Sequence, residues 1–227
     1  RSCILFRSDI IGAFMSGIVT QNVLGTSGLV KAVSAGGTWV EIKSLTTDGS
    51  DETLSFVNGA SDVVFDSTYP VYCFRWFNMH PETDNAAFSF NFSDDTSSHS
   101  YDITKTTSYY ENQRDESGGD GGGSGVLQYN AGNDLAQGTG FQVMSYQDAT
   151  GADDNAGGYL YVFAPSNTTY TKSFFARQQH NANYVICQGT FISGYANTTA
   201  ALTAVQFKYD SGDMDAGTIK MFGIKDS

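Results

Sequence analysis

The segment Phe88-Ser-Phe-Asn-Phe-Ser93 sets three phenylalanines on alternate positions against small polar residues. A chain satisfies that pattern best as a β-strand with one face turned into an apolar core. The same period of two recurs where Val40 and Ile42 alternate with Trp39, Glu41 and Lys43, and where Leu54 and Phe56 alternate with Thr53 and Ser55. From Tyr69 to Met79 both parities are apolar: Val71, Cys73 and Phe77 on one side, Tyr72, Phe74 and Trp76 on the other. Such a run suits a central strand covered on both faces, or a strand with one face in the core and the other in a subunit contact. Arg75 in its middle needs a partner.

Further strands are predicted over 141–146, 159–164, 170–177, 184–192, 202–209 and 218–225. Their links are rich in turn formers: Pro165-Ser-Asn-Thr predicts a hairpin, and the stretch from Asp210 to Gly217 joins the last two strands. With 25 Gly and only 3 Pro, the composition favours short strands and turns over long helices. The expectation is an all-β chain of nine or ten strands, an antiparallel β-sandwich of jelly-roll-like form. Residues 111–125, ENQRDESGGDGGGSG, predict an exposed loop, as does the polar stretch 148–158, both at one end of the sandwich.

The first 37 residues read differently. Asp9 precedes Ile10, Ile11, Phe14, Met15, Ile18 and Val19, spaced as on one side of a helix with an acidic cap, while Gly12, Gly17 and the β-branched residues weaken that helix. Glycine-containing hinges follow at 25–28 and 35–37. The segment is predicted to be an extended or partly helical arm, preceding a sandwich domain over 38–227. Its apolar residues are candidates for docking onto another subunit or onto the arm's own domain.

Twenty-four acidic against twelve basic residues give a net charge of −12, which argues against nucleic acid and against an anionic membrane. No apolar stretch reaches the roughly 20 residues that a spanning helix needs, and no secretory signal is legible, so a soluble chain is expected. Cys3, Cys73 and Cys187 form no metal-ligand spacing; a bridge between Cys73 and Cys187 stays open.

Catalytic constellations are sparse. A serine nucleophile needs a base, and the three histidines, His80, His99 and His180, have no Gly-x-Ser-x-Gly elbow beside them. His80, before Pro81, is placed in a turn and His99 in a Ser-rich loop. Carboxylates cluster in turn sequences such as Asp94-Asp95 and Asp153-Asp154, where Asp bonds nearby amides. Asp210, Asp213 and Asp215 before Gly217 are a partial likeness to a calcium loop without its closing Glu, leaving Ca²⁺ as the one candidate ligand ion and no other cofactor expected. Trp39 at a strand start is a candidate for stacking on a sugar, whereas Trp76 is expected to be buried. Tyr109, Tyr110 and Tyr129 are candidate exposed contacts to a ligand.

Three regions carry a likeness to known proteins. Phe65-Asp-Ser-Thr-Tyr-Pro-Val-Tyr72 followed by Asn78-Met-His-Pro-Glu-Thr-Asp-Asn85 resembles a pattern of small structural proteins of tailed bacteriophages, in which a strand ends in an Asn-x-x-Pro-x-Thr-Asp turn. The tail from Ala204 to Ile224 resembles that group's closing hairpin, with Asp213 where the turn often has Asn. Val162-Phe-Ala-Pro-Ser-Asn-Thr-Thr-Tyr-Thr-Lys172 is similar to its middle hairpin. The likeness runs in order over residues 38–225. It implies a non-enzymatic virion protein, a capsid decoration or tail-fibre component, whose partners are other virion proteins in a homo-oligomer such as a trimer. The alternative is a carbohydrate-binding host-attachment module with a host-surface glycan as partner, and after it a jelly-roll carbohydrate-active enzyme.

Overall fold

The computed structural model describes residues 38–119, 127–182 and 185–226. The predicted arm, with Ile10, Ile11, Phe14, Met15, Ile18 and Val19, lies outside the described residues, as does Cys3. The described residues form thirteen strands and no helix: β1 (Trp39–Thr46), β2 (Thr53–Val57), β3 (Val71–Pro81), β4 (Phe88–Ser93), β5 (Lys105–Asp115), β6 (Gln128–Tyr129), β7 (Ala136–Gly138), β8 (Gln142–Val143), β9 (Ala156–Phe163), β10 (Lys172–Ala182), β11 (Ile186–Ala196), β12 (Ala204–Tyr209) and β13 (Met214–Ile224). No helix is therefore long and apolar enough to cross a membrane among these residues.

The strands make two antiparallel sheets that pack as a sandwich. The larger has nine strands in the order β1-β13-β3-β9-β10-β11-β5-β6, with β7 also paired to β5; the smaller runs β2-β12-β4-β8. Between them lies an aromatic core. The Phe207 ring, from β12, has centroids of Phe56, Phe74, Trp76, Phe88 and Phe90 within 5.6–6.3 Å. Each such ring taken out of water contributes about 1.5–3 kcal/mol, which makes this cluster the main glue between the layers.

Several expectations are corrected. Residues 111–115 belong to β5 rather than to a loop, because Glu111 turns inward and finds partners there. The strand β3 continues through His80 to Pro81, with a bulge at Asn78 (φ 54), so the turn comes after it. The tail is no hairpin: β12 lies in the small sheet and β13 in the large one, so residues 210–213 cross between layers. That crossing is held by Asp210 Oδ1 accepting from the Ala87 amide at 2.7 Å and by the Asp213 amide donating to Glu82 at 3.0 Å. β4 is buried on both faces, since Ser89, Asn91 and Ser93 are covered as completely as its phenylalanines. Cys73 and Cys187 are free; β9 and β10 separate their strands, which at about 4.8 Å per strand is far beyond disulfide reach.

The ends of the strands place the loops. β5 ends opposite the start of β11, and β10 ends beside the start of β9, so residues 116–119 and 149–155 lie at one end of the large sheet.

Candidate functional site

On the large sheet the alternate residues that do not enter the core form the opposite face, and the antiparallel register lines them into rows. One row runs Lys220, Arg75, Tyr159, Arg177, Phe191, Tyr110 and Tyr129, each the direct cross-strand partner of the next. Across seven strands at about 4.8 Å each, this is a band roughly 30 Å long. Beside it runs a second row, Phe222, Cys73, Tyr161 and Phe175. Tyr159 of the first row lies 5.3 Å between centroids from Tyr161 of the second, and within the second row Tyr161 and Phe175 lie 4.9 Å apart. Trp39, at the edge strand β1, closes onto Tyr161 and Phe222 at 6.1 and 5.7 Å.

The exposure of this face is substantial. Phe77 is 43% exposed, Trp39 42%, Tyr110 40% and Phe175 39%. An exposed apolar surface of such extent is a candidate interaction site. Among the described residues Lys220 pairs with Glu41 at 2.9 Å, while His80 and His180 lie 3.1 and 3.5 Å from the carboxyl oxygens of Asp215 and Asp148. No carboxylate among the described residues pairs with the guanidinium groups of Arg75 and Arg177. Arg177 Cζ lies over the Phe191 ring, 4.7 Å from its centroid.

A groove of about 430 Å³ opens in the band, lined by Arg75, Phe77, Gly157, Tyr159, Lys220 and Phe222 among others. Glycines make it. Gly157 leaves the outer side bare, and Gly158 faces Trp76, where a Cβ would lie 2.7 Å from the indole and 2.3 Å from the Arg177 carbonyl oxygen. Trp76 is buried as expected, and its Nε1 donates to Gln178 Oε1 at 2.9 Å.

The candidates named from sequence divide. Trp39, Tyr110 and Tyr129 share this face, Tyr110 and Tyr129 with ring centroids 5.4 Å apart. Tyr109 does not: one residue earlier on β5, it points into the core and is fully buried. The calcium candidates are not assembled. Asp210 is taken up by the Ala87 amide, Asp215 pairs with His80 Nδ1 at 3.1 Å, and among the described residues no group of three metal-ligating side chains forms. His80 ties the 149–155 loop down through Nε2 and the Gly151 carbonyl oxygen at 3.1 Å, beside a second cavity of about 430 Å³ lined by Asp153, Asp154 and Asp215.

Sequence reasoning missed a buried polar network inside the sandwich. Ser145 Oγ donates to Asp148 Oδ2 at 2.8 Å, and His180 Nε2 lies 3.5 Å from Asp148 Oδ1 and 3.3 Å from the Tyr146 carbonyl oxygen. Gln188 and Tyr146 donate to the Glu111 carboxylate at 3.1 and 3.3 Å. Burial pushes Asp148 up to about 7 and pulls His180 down to about 4, since charge is poorly solvated there. Ser, His and Asp do meet here, but the serine bonds the carboxylate instead of the imidazole, and all three are walled off from solvent. The arrangement is a structural strut, not a nucleophile. The alternation Thr107, Tyr109, Glu111 was the one signal in the sequence that could have revealed it.

No protein-family model matches the chain, and no curated protein or solved structure matches it.

Proposed function

We propose that the chain is a non-enzymatic structural protein displayed on a bacteriophage particle, and that the outer face of its large sheet is the surface that holds a neighbouring particle subunit. The virion setting rests on the resemblance carried by residues 38–225. The working surface rests on one observation, the exposed double row of aromatic and cationic side chains. Aromatic residues and arginine supply most of the binding energy in protein interfaces, and a flat sheet suits side-by-side packing. The perturbed groups Asp148 and His180 are enclosed, which supports a role without turnover.

The test is assembly. The triple variant Arg75→Glu, Tyr159→Ser and Phe175→Ser is expected to lower incorporation into particles by roughly tenfold or more, measured as copies per particle by quantitative mass spectrometry. Unchanged occupancy defeats the reading.

A second reading is favoured by the alternation of cations with rings in a protein of net charge −12. Tyrosine and phenylalanine faces stack on pyranose rings while Arg75 and Arg177 bind carboxylate or sulfate groups, so the same face fits an acidic polysaccharide of the host surface. Retention on a uronate-rich polysaccharide that weakens with salt, without retention on a neutral glucan, is the result that selects it.

A further inference from the structure

Far from the loop end, β5 opens with a lysine turned into the protein. Lys105 is fully buried, and among the described residues no carboxylate forms an ion pair with it. Its Nζ donates to Asn91 Oδ1 and to the Ile103 carbonyl oxygen, the latter at 2.8 Å. Asn91, on β4, is equally enclosed. Its Nδ2 donates to the carbonyl oxygens of Tyr101, Thr139 at 3.0 Å and Gly140 at 3.4 Å, while its Oδ1 accepts from the Phe92 amide at 2.8 Å.

A buried cation without a counter-ion is costly, and the cost falls when the amine is neutral. Burial pulls Lys105 down to about 7, with Asp102 opposing that fall through its charge. A neutral amine held against a carboxamide in a dry site is a nucleophile held against an acyl group.

We propose that Lys105 and Asn91 are joined by an isopeptide bond that the folded chain forms on itself. The neutral Nζ adds its lone pair to Asn91 Cγ, and the carbonyl electron pair moves onto Oδ1, where the Phe92 N–H stabilises the developing charge. One amine proton passes to Nδ2, the Cγ–Nδ2 bond breaks as the carbonyl re-forms, and one ammonia leaves. A primary amine and a primary amide become a secondary amide and ammonia, so no oxidant, reductant or cofactor enters. The carbonyls of Tyr101 and Thr139 fix the orientation of the departing nitrogen. The bond ties β4 of the small sheet to β5 of the large one and thereby staples the two layers together.

The experiment is the intact mass of the full chain, measured denatured and reduced. The expected value is lighter than the sum of its residues by one ammonia, with a proteolytic branched peptide linking the Asn91 and Lys105 segments and no tryptic cleavage after Lys105. Lys105→Met and Asn91→Ala are expected to restore the full mass, while Asn91→Asp loses one water instead. A wild-type mass equal to the residue sum leaves Lys105 and Asn91 as a hydrogen-bonded pair and overturns the proposal, as does a deficit that maps to other residues. The wild-type measurement decides even if a variant fails to fold.

Discussion

His180 Nε2 stands 3.5 Å from Asp148 Oδ1 inside the sandwich, with both side chains closed off from water. Unfolded, the two titrate near 6.5 and 3.8; folded, burial moves them to about 4 and about 7. Between about pH 4 and 7 the folded state keeps the Asp148 proton that the unfolded chain has released, so that group's contribution to stability falls as pH rises. Between about pH 4 and 6.5 the unfolded chain holds a proton on His180 that the folded state lacks, so this contribution rises with pH. The slopes oppose each other over the shared window, and wild-type stability is expected to be nearly flat there with respect to this pair. Asp148→Asn exposes the histidine slope, with a Tm that climbs from pH 4 to 6.5; His180→Gln exposes the carboxyl slope, with a Tm that drops from pH 4 to 7. Thermal melts at stepped pH check this, and parallel profiles for all three proteins would refute it.

Arg177→Ala removes a cation from the exposed band without touching the core. Its Tm is expected to stay within about 2 °C of the wild type, because surface changes outside special sites are nearly neutral. If the face binds an acidic polysaccharide, affinity falls by roughly 2- to 30-fold, the range of a cation contact of about 0.5–2 kcal/mol. Isothermal titration at two salt concentrations reads both the loss and its electrostatic origin.

Gly158→Ala tests the packing beneath the groove. The added Cβ meets the Arg177 carbonyl oxygen, which belongs to the sheet backbone and cannot turn away. The expected destabilisation is about 1–3 kcal/mol, a fall in Tm of roughly 2–12 °C. A wild-type melting curve would show that β9 and β10 shift apart more easily than their register implies.

The two described thiols are expected to react at different times. Cys187 is exposed, whereas Cys73 is buried and its thiol is pushed up to about 12, chiefly by burial. In a Cys3→Ser background, a thiol reagent should label one cysteine in the native protein and the second only on unfolding. Peptide mapping that finds Cys73 modified first sinks this prediction.

How much of this was legible beforehand varies by residue. Phe88, Phe90 and Phe92 announced their strand and its inward face, because apolar side chains on alternate positions have one low-energy destination. β5 escaped notice because its inward positions include Lys105, Thr107 and Glu111, and a polar residue is tolerated inside only when distant groups bond it: Gln142 for Thr107, Gln188 for Glu111, Asn91 for Lys105. Nothing local in the chain states that those partners will arrive.

The double row on the large sheet shows the same division. Its members, Arg75, Tyr159, Arg177 and Phe191, are scattered over more than a hundred residues, and each alone reads as an ordinary strand position. The sequence by itself determined that the chain would be strands with an aromatic interior, since period-two alternation and the scarcity of helix-favouring runs are local properties. Tertiary structure alone decided which strands are neighbours, and so which rings and cations stand side by side. Pairing order depends on how the whole core closes, a long-range balance that no short stretch of residues encodes.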